Sequence, residues 1–293
     1  MIDIYRYQDI GLETDVYGVI TDPVGHSLSP HVHNAAFNAK KINSVYVPFR
    51  VPPDNLGQFM ADASRLGIRG LSVTIPHKEA IARYLTKVDP AVKSIGAVNT
   101  VVFDGSDVVG YNTDYNAAMD CIERALGTIG AKPSAVKNKR VLVLGAGGVA
   151  RPIVYGMKSR EALVTIASRT KQRSERLAKA FDSKAIDWDA RQRVQCDILI
   201  NCTPIGMHPN VDESPVSKTF LKHSMLVFDT VYNPESTLLV KDARSRNCQA
   251  ITGVDMFERQ AMLQFFLFTR QEAPPNLMRE VLKKAIGPIG GAI

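Results

Sequence analysis

The chain has 293 residues, 45% of them hydrophobic and 22% charged, with a formal charge of +7, the composition of a folded, water-facing protein with room for two domains. No apolar run approaches the ~18 residues of a membrane span, and the first nine residues, with Asp3, Arg6 and Asp9, lack a secretory apolar core, so a cytoplasmic address is expected. Lysine and arginine are mostly scattered and aromatics make up only 7%, so nucleic-acid binding is not expected and the positive balance suits small anionic ligands.

Strand and helix alternate almost throughout. VYGVIT from Val16 reads as a strand, followed by a helix opening at Ser29-Pro30. SVYVPFR is the next strand, and PDNLGQFMADASRLG has helical spacing with Pro53 in its first turn and Gly67 as a stop. A third strand is expected over 69–75, a helix after Pro76, and two strands, AVNTVVF and DVVGYN, on either side of Gly105. A helix over 115–126 leads into the polar stretch GTIGAKPSAVKNK, which has the composition of a domain boundary. A second series begins with strand VLVLG, helix 149–158 and strand ALVTIAS, then a basic helix near 174–181 and strands DILIN and MLVFDTVY. Helix 236–245, strand QAIT, a helix over 256–270 and a short helix after Pro274-Pro275 complete it. Repeated strand–helix units with apolar strands predict α/β architecture in both halves, with parallel sheets covered on both faces.

Cys121, Cys196, Cys202 and Cys248 form no CxxC pair. Cys196 and Cys202 bracket the apolar strand DILIN, so they and His208 read as core and loop residues rather than metal ligands. Neither a disulfide nor a metal is expected.

Gly145-Ala146-Gly147-Gly148-Val149-Ala150 directly follows VLVL. This is G-x-G-x-x-A at the end of a strand and the start of a helix, the context of a dinucleotide-binding turn. Gly145 permits the tight turn, Gly147 and Gly148 bring backbone N–H groups to a pyrophosphate, and Ala150 keeps the helix close to the sheet. An NAD site would place Asp or Glu about 20 residues on, to accept from the ribose 2′-hydroxyl. The strand here ends Ser168-Arg169-Thr170-Lys171, with Arg173 just beyond and no carboxylate. Cations at a helix start oppose its dipole, and an arginine fork suits a 2′-phosphate. NADP is therefore the expected cofactor, a solvated basic helix start being the competing reading.

In the first half, polar groups cluster at strand ends: Gly25-His26-Ser27-Leu28-Ser29, Ser72-Val73-Thr74-Ile75-Pro76-His77-Lys78, Gly96-Ala97-Val98-Asn99-Thr100 and Tyr111-Asn112-Thr113-Asp114. Singly, Ser29 and Asp114 read equally well as helix caps and Lys78 as a surface lysine. Together they describe one pocket at the carboxyl ends of strands, where open sheets bind ligands.

With these segments the chain resembles shikimate dehydrogenase from about Val16 to the last helix. GHSLSPHVHNAAF, SVTIPHK, GAVNT, GYNTD, GAGGVAR, the SRT segment, NCTPIGM, VYNP and GVDMFERQA follow one another in family order. The resemblance implies NADP-linked, reversible interconversion of shikimate and 3-dehydroshikimate in aromatic amino acid biosynthesis. It implies Lys78 and Asp114 as the catalytic pair, Ser27 and Ser29 on the substrate carboxylate with Tyr232 nearby, and Thr74, Asn99 and Gln260 on the ring and its hydroxyls. Thr203 would line the cofactor cleft, and Met207 and Gly253 would lie near the nicotinamide. Two positions depart from the family pattern: Ser72, where asparagine is common, and Tyr115, where glycine is common.

The expected organisation is an N-terminal α/β substrate domain, 1–115 plus 255–293, and a doubly wound Rossmann-type NADP domain, 116–254, with the cleft between them. A monomer or homodimer is expected. Residues 1–15, with Tyr5-Arg6-Tyr7, resemble the connector of bifunctional chains in which a dehydroquinate dehydratase precedes this enzyme, and an ordinary ragged terminus is the alternative. Rival functions are a quinate/shikimate dehydrogenase with broader substrate or NAD use, a ligand sensor without turnover, and a folate-type dehydrogenase of similar shape. Ser27 and Ser29 weigh against the last, and the presence of both Lys78 and Asp114 against the sensor.

Overall fold

The computed structural model describes residues 10–23, 27–128 and 134–286. Part of the expected connector, Val24-Gly25-His26 of the first motif and part of the polar stretch after Leu126 lie outside the described residues. The chain forms two units, Met1–Thr113 with Gln260–Ile293, and Asp114–Arg259. The changeovers fall two residues before and five residues after those expected, and the polar stretch after Leu126 is internal to the second unit.

In the first unit, β1 (Asp15–Thr21), α1 (Ser29–Lys40), β2 (Ser44–Arg50), α2 (Leu56–Arg65) and β3 (Ile68–Val73) follow the expected alternation. A short 3-10 turn, Ala80–Tyr84, replaces the helix expected after Pro76. Two elements with no periodic signal come next, β4 (Lys87–Val88) and α3 (Pro90–Ile95). Helix α3 is specified by its cap: the Asp89 side chain accepts from Ala91 N at 2.9 Å and Pro90 opens the first turn.

The sheet is completed by β5 (Thr100–Asp104) and β6 (Asp107–Tyr111), in the order β2-β1-β3-β5-β6-β4. It is mixed, which corrects the expectation of a parallel sheet in this half. β5 runs antiparallel to both β3 and β6. Only Gly105 and Ser106 separate β5 from β6, too few residues for the crossover a parallel pair needs. Leu56, Met60, Leu71, Ile81 and Val101 fill the core on one face.

The second unit begins one residue into α4 (Thr113–Ala125) and carries six parallel strands. These are β7 (Arg140–Leu144), β8 (Leu163–Ser168), β9 (Lys184–Asp187), β10 (Ile198–Asn201), β11 (Leu226–Asp229) and β12 (Gln249–Ile251), ordered β12-β11-β10-β7-β8-β9. Between them lie α5 (Ala150–Lys158), α6 (Lys171–Ala180) and α7 (Leu238–Ser245). Every residue of β10 and β11 is buried, which is why these strands show no alternation. Progression away from β7 reverses after β9, so the switch point, where such sheets bind ligands, lies between the carboxyl ends of β7 and β10.

α8 (Gly253–Thr269) starts in the second unit and ends in the first, and α9 (Leu277–Ile286) follows. The final turns of α8 bring Phe265 to 5.6 Å from Phe37 and Phe268 to 5.0 Å from Tyr17, centroid to centroid. The Tyr17 hydroxyl donates to Phe268 O at 3.1 Å. Fully buried His33 lies in this aromatic layer, stacked on Tyr46 at 4.6 Å.

Candidate active site

In the first unit, register gathers the polar segments at one edge. β1, β3 and β6 are oriented alike, and β5, reversed, begins where they end, with Ser72 opposite Thr100 and Thr100 opposite Tyr111. Ser27–Ser29, Thr74–Lys78, Asn99 and Thr113 therefore share that edge. Ser29 is buried in the first turn of α1, which has no side-chain cap, so capping does not account for it. Ser27 Oγ accepts from Ser29 N at 3.4 Å. Thr74 and Lys78 are half-buried. The strand end between them is pinned by buried His77, whose Nε2 lies 2.7 Å from Val51 O, and Lys78 O accepts from Val98 N at 2.7 Å.

Asn99 is a structural joint as well as a candidate ligand. Its Oδ1 accepts from Thr113 N at 2.7 Å and from Thr100 Oγ1 at 2.9 Å, and its Nδ2 donates to Thr113 Oγ1 at 2.9 Å. Beneath it, Gln264 donates to Asn99 O at 3.2 Å and to Thr100 Oγ1 at 2.9 Å, while Ser72 Oγ donates to Gln264 Oε1 at 2.8 Å. Ser72, the first departure from the family pattern, is therefore tied into the support of Asn99. Gln260 is half-buried one helical turn before Gln264.

The remaining predicted residues belong to the second unit. Asp114 is buried in the first turn of α4. Tyr115, the second departure, packs its ring 5.4 Å from Tyr155, and its hydroxyl accepts from Arg160 Nη1 at 3.3 Å. It is thereby occupied within this unit's own structure.

At the carboxyl edge of the parallel sheet, Gly145 has φ 104 and donates its N–H to Ala167 O at 2.8 Å, which sets the glycine turn beside the end of β8. A Cβ on Gly145 would lie 2.8 Å from Cys202 O, whereas one on Gly147 would meet no heavy atom within 4 Å. The turn is thus closed against β10 and open in front of α5, which begins at fully buried Ala150. Gly148 lies in that turn. An anion fits there, against backbone N–H groups and the positive end of the helix.

Ser168 Oγ accepts from Thr170 N at 3.3 Å and shapes the start of α6. Exposed Lys171 is paired with Asp187 at 3.1 Å. Among the described residues Arg169 and Arg173, both exposed, have no ion-pair partner. Two uncommitted guanidinium groups beside a glycine turn fit a phosphorylated ribose better than a bare one.

Thr203 donates through N and Oγ1 to Asn201 Oδ1 at 3.0 and 2.7 Å. Met207 is 45% exposed. Tyr232 is half-buried with its ring 5.1 Å from Phe257, and burial raises its phenol above the ordinary range. A Cβ on Gly253 would run into the carbonyls of Thr230 and Val231, so only glycine admits this approach of α8 to the end of β11. The sequence reading gave Thr113 no role of its own within its polar segment and passed over Gln264 and the buried carboxylate of Asp229. The last carried a signal, a lone acidic residue ending the apolar run MLVFD. All four cysteines are buried and free, and among the described residues no helix is long and apolar enough to cross a membrane.

These two edges define a two-unit α/β oxidoreductase that works with a nicotinamide dinucleotide. Residues 19–101 match the family model of the shikimate dehydrogenase substrate binding domain, and residues 129–235 match that of shikimate / quinate 5-dehydrogenase. The chain belongs to the shikimate dehydrogenase family. It is 42% identical over 97% of its length to a bifunctional 3-dehydroquinate dehydratase/shikimate dehydrogenase of Arabidopsis thaliana, spanning 49% of that longer protein. It is 39% identical to a shikimate dehydrogenase (NADP(+)) of Methanocaldococcus jannaschii, covering 94% of this chain and 98% of that one. A crystal structure of a shikimate dehydrogenase in complex with NADP+ superposes with a TM-score of 0.87 at 38% identity, covering 95% of this chain and 98% of the other.

Proposed function

We propose that this chain catalyses the reversible, NADP-linked oxidation of shikimate to 3-dehydroshikimate, a step in aromatic amino acid biosynthesis. The carrying observation is the gathering of Ser27, Ser29, Thr74, Lys78 and Asn99 at one sheet edge, in a chain whose other unit presents Arg169 and Arg173 beside a glycine turn. NADP, when bound, supplies the hydride acceptor. Gly147 and Gly148 would offer backbone N–H groups to its pyrophosphate, in a turn that Gly145 and Ala150 shape, and Arg169 and Arg173 would hold its 2′-phosphate. Ser168, Thr170 and Lys171 shape the same pocket, and Thr203, Met207 and Gly253 flank the nicotinamide end.

Ser27 and Ser29 donate to the substrate carboxylate with Tyr232, while Thr74, Asn99 and Gln260 orient the ring hydroxyls. Lys78 takes the hydroxyl proton as hydride departs from the same carbon, and returns it in reduction. Asp114 orients the Lys78 amine and balances its charge. Such positioned proton transfer contributes about 10²–10⁴ in rate.

The test is NADPH formation by the purified chain with shikimate and NADP, set beside shikimate with NAD and quinate with either cofactor. The shikimate–NADP pair is expected to give the highest kcat/KM. Comparable turnover of quinate or with NAD would select the broader enzyme, and binding without turnover would select a sensor.

A further inference from the structure

Asp229 ends β11 with its side chain completely buried. Its Oδ1 accepts from Asn201 Nδ2 at 3.0 Å and from Val231 N at 3.1 Å, and its Oδ2 accepts from Thr237 Oγ1 at 2.6 Å. Each donor comes from a different piece of the sheet's carboxyl edge. Asn201 opens the segment that carries Thr203 and Met207, Val231 begins the turn that carries Tyr232, and Thr237 caps α7 through Val240 N at 3.2 Å.

Asn201 passes the constraint on. Its Oδ1 accepts both donors of Thr203, its Nδ2 also donates to Ile205 O at 3.3 Å, and its backbone carbonyl accepts from Thr230 Oγ1 at 2.8 Å. An ionised carboxylate only accepts, so it fixes which end of the Asn201 amide faces it. With the amide reversed, Nδ2 would oppose the Thr203 N–H and Oδ1 would oppose both Asp229 and Ile205 O. A neutral group at 229 that can also donate would weaken this restriction, leaving it to Thr203 and Ile205 O. Burial pushes the Asp229 carboxyl up to about 6 despite its three donors, so keeping an acid here is expensive for the fold.

We propose that Asp229 is a positioning residue for the reaction: by fixing the polarity of the Asn201 amide it holds the 201–207 segment and the Tyr232 turn in register for cofactor and substrate. This role rests on the activity proposed above. It is tested with Asp229→Asn in the full chain, reading KM for NADP, KM for shikimate, kcat, the Kd of NADP from quenching of protein fluorescence, and Tm.

A weakened hold on the Asn201 amide predicts a rise of about tenfold in KM and Kd for NADP with a lowered kcat, at a Tm that stays close to wild type. Wild-type KM, Kd and kcat in Asp229→Asn would overturn the proposal. Should that variant not fold, Asn201→Ser decides, because it leaves Asp229 its bonds to Val231 and Thr237: a matching rise in KM supports the role, and wild-type kinetics reject it. Failure of the wild-type chain to turn over shikimate would sink the activity itself, a result separate from unchanged kinetics in the variants.

Discussion

Asn99 Oδ1 accepts the backbone N–H of Thr113 at 2.7 Å, across the gap between the start of β5 and the start of α4. Since Val98, the residue before Asn99, donates to Lys78 O at 2.7 Å, one stretch of backbone holds both the Lys78 loop and the residue that precedes Asp114. Asn99→Asp keeps the acceptor for Thr113 but removes an N–H and adds a negative charge opposite an anionic ring. Burying a carboxylate in place of the amide is expected to lower Tm, while KM for shikimate rises by a factor equivalent to about 1–3 kcal/mol. An unchanged KM would leave Asn99 as a joint alone.

Lys78→Ala removes the group assigned to the proton. We expect kcat to fall by about 10²–10⁴ with a smaller change in KM. Steady-state kinetics in both directions check this, and a kcat near wild type would exclude Lys78 from the chemistry.

Arg169→Ala separates the two nicotinamide cofactors. Lys171 is already paired with Asp187, so the loss falls on a guanidinium with no ion-pair partner among the described residues. KM for NADP should rise by about tenfold or more while KM for NAD moves little. Equal losses for both would remove the 2′-phosphate from its role.

His33 sets an acid limit on stability. Burial lowers its imidazole to about 4 in the folded chain, from an ordinary value near 6.5. Between those values the unfolded chain binds a proton that the folded chain refuses, so this contribution is intact at pH 7 and is lost as pH falls from about 6.5 toward 4. The difference amounts to about 2 kcal/mol between pH 7 and 5. Asp229, raised to about 6, acts in the opposite sense, favouring the folded chain as pH falls through that value. The informative measurement is therefore denaturant unfolding of wild type beside His33→Leu, in which the wild type loses more stability on acidification. Parallel pH curves for the two would refute the assignment to His33.

The second unit was largely readable because β7, β10 and β11 have buried apolar runs and its turns carry glycine, serine and arginine at fixed offsets, whereas the four-residue β9, KAID, has no fully buried residue and went unread. Helix α6 begins at Lys171, three residues before the expected start, and its first turn takes in Lys171 and Arg173. The first unit was harder. A hairpin and a crossover leave similar apolar runs, and the brevity of Gly105-Ser106, the one signal of the antiparallel β5, was not read as such. Its short pieces, β4, α3 and the 3-10 turn after Lys78, are too brief for any period to show. Individual motif residues were legible from their chemistry, but their supports were not. Ser72 meets Gln264 across 192 positions of sequence, and no local pattern announces such a partnership.

Helix α8 belongs to two bodies, with its first turns in one and its last in the other. This gives the nascent polypeptide a fixed order of events. The second unit is an uninterrupted stretch whose strands are all present once Ile251 has left the ribosome. The first, though begun earlier, then still lacks Phe265 and Phe268, leaving Tyr17 and Phe37 without these ring partners. The body translated first is therefore completed last, and until then its unfinished aromatic layer is what a chaperone would meet.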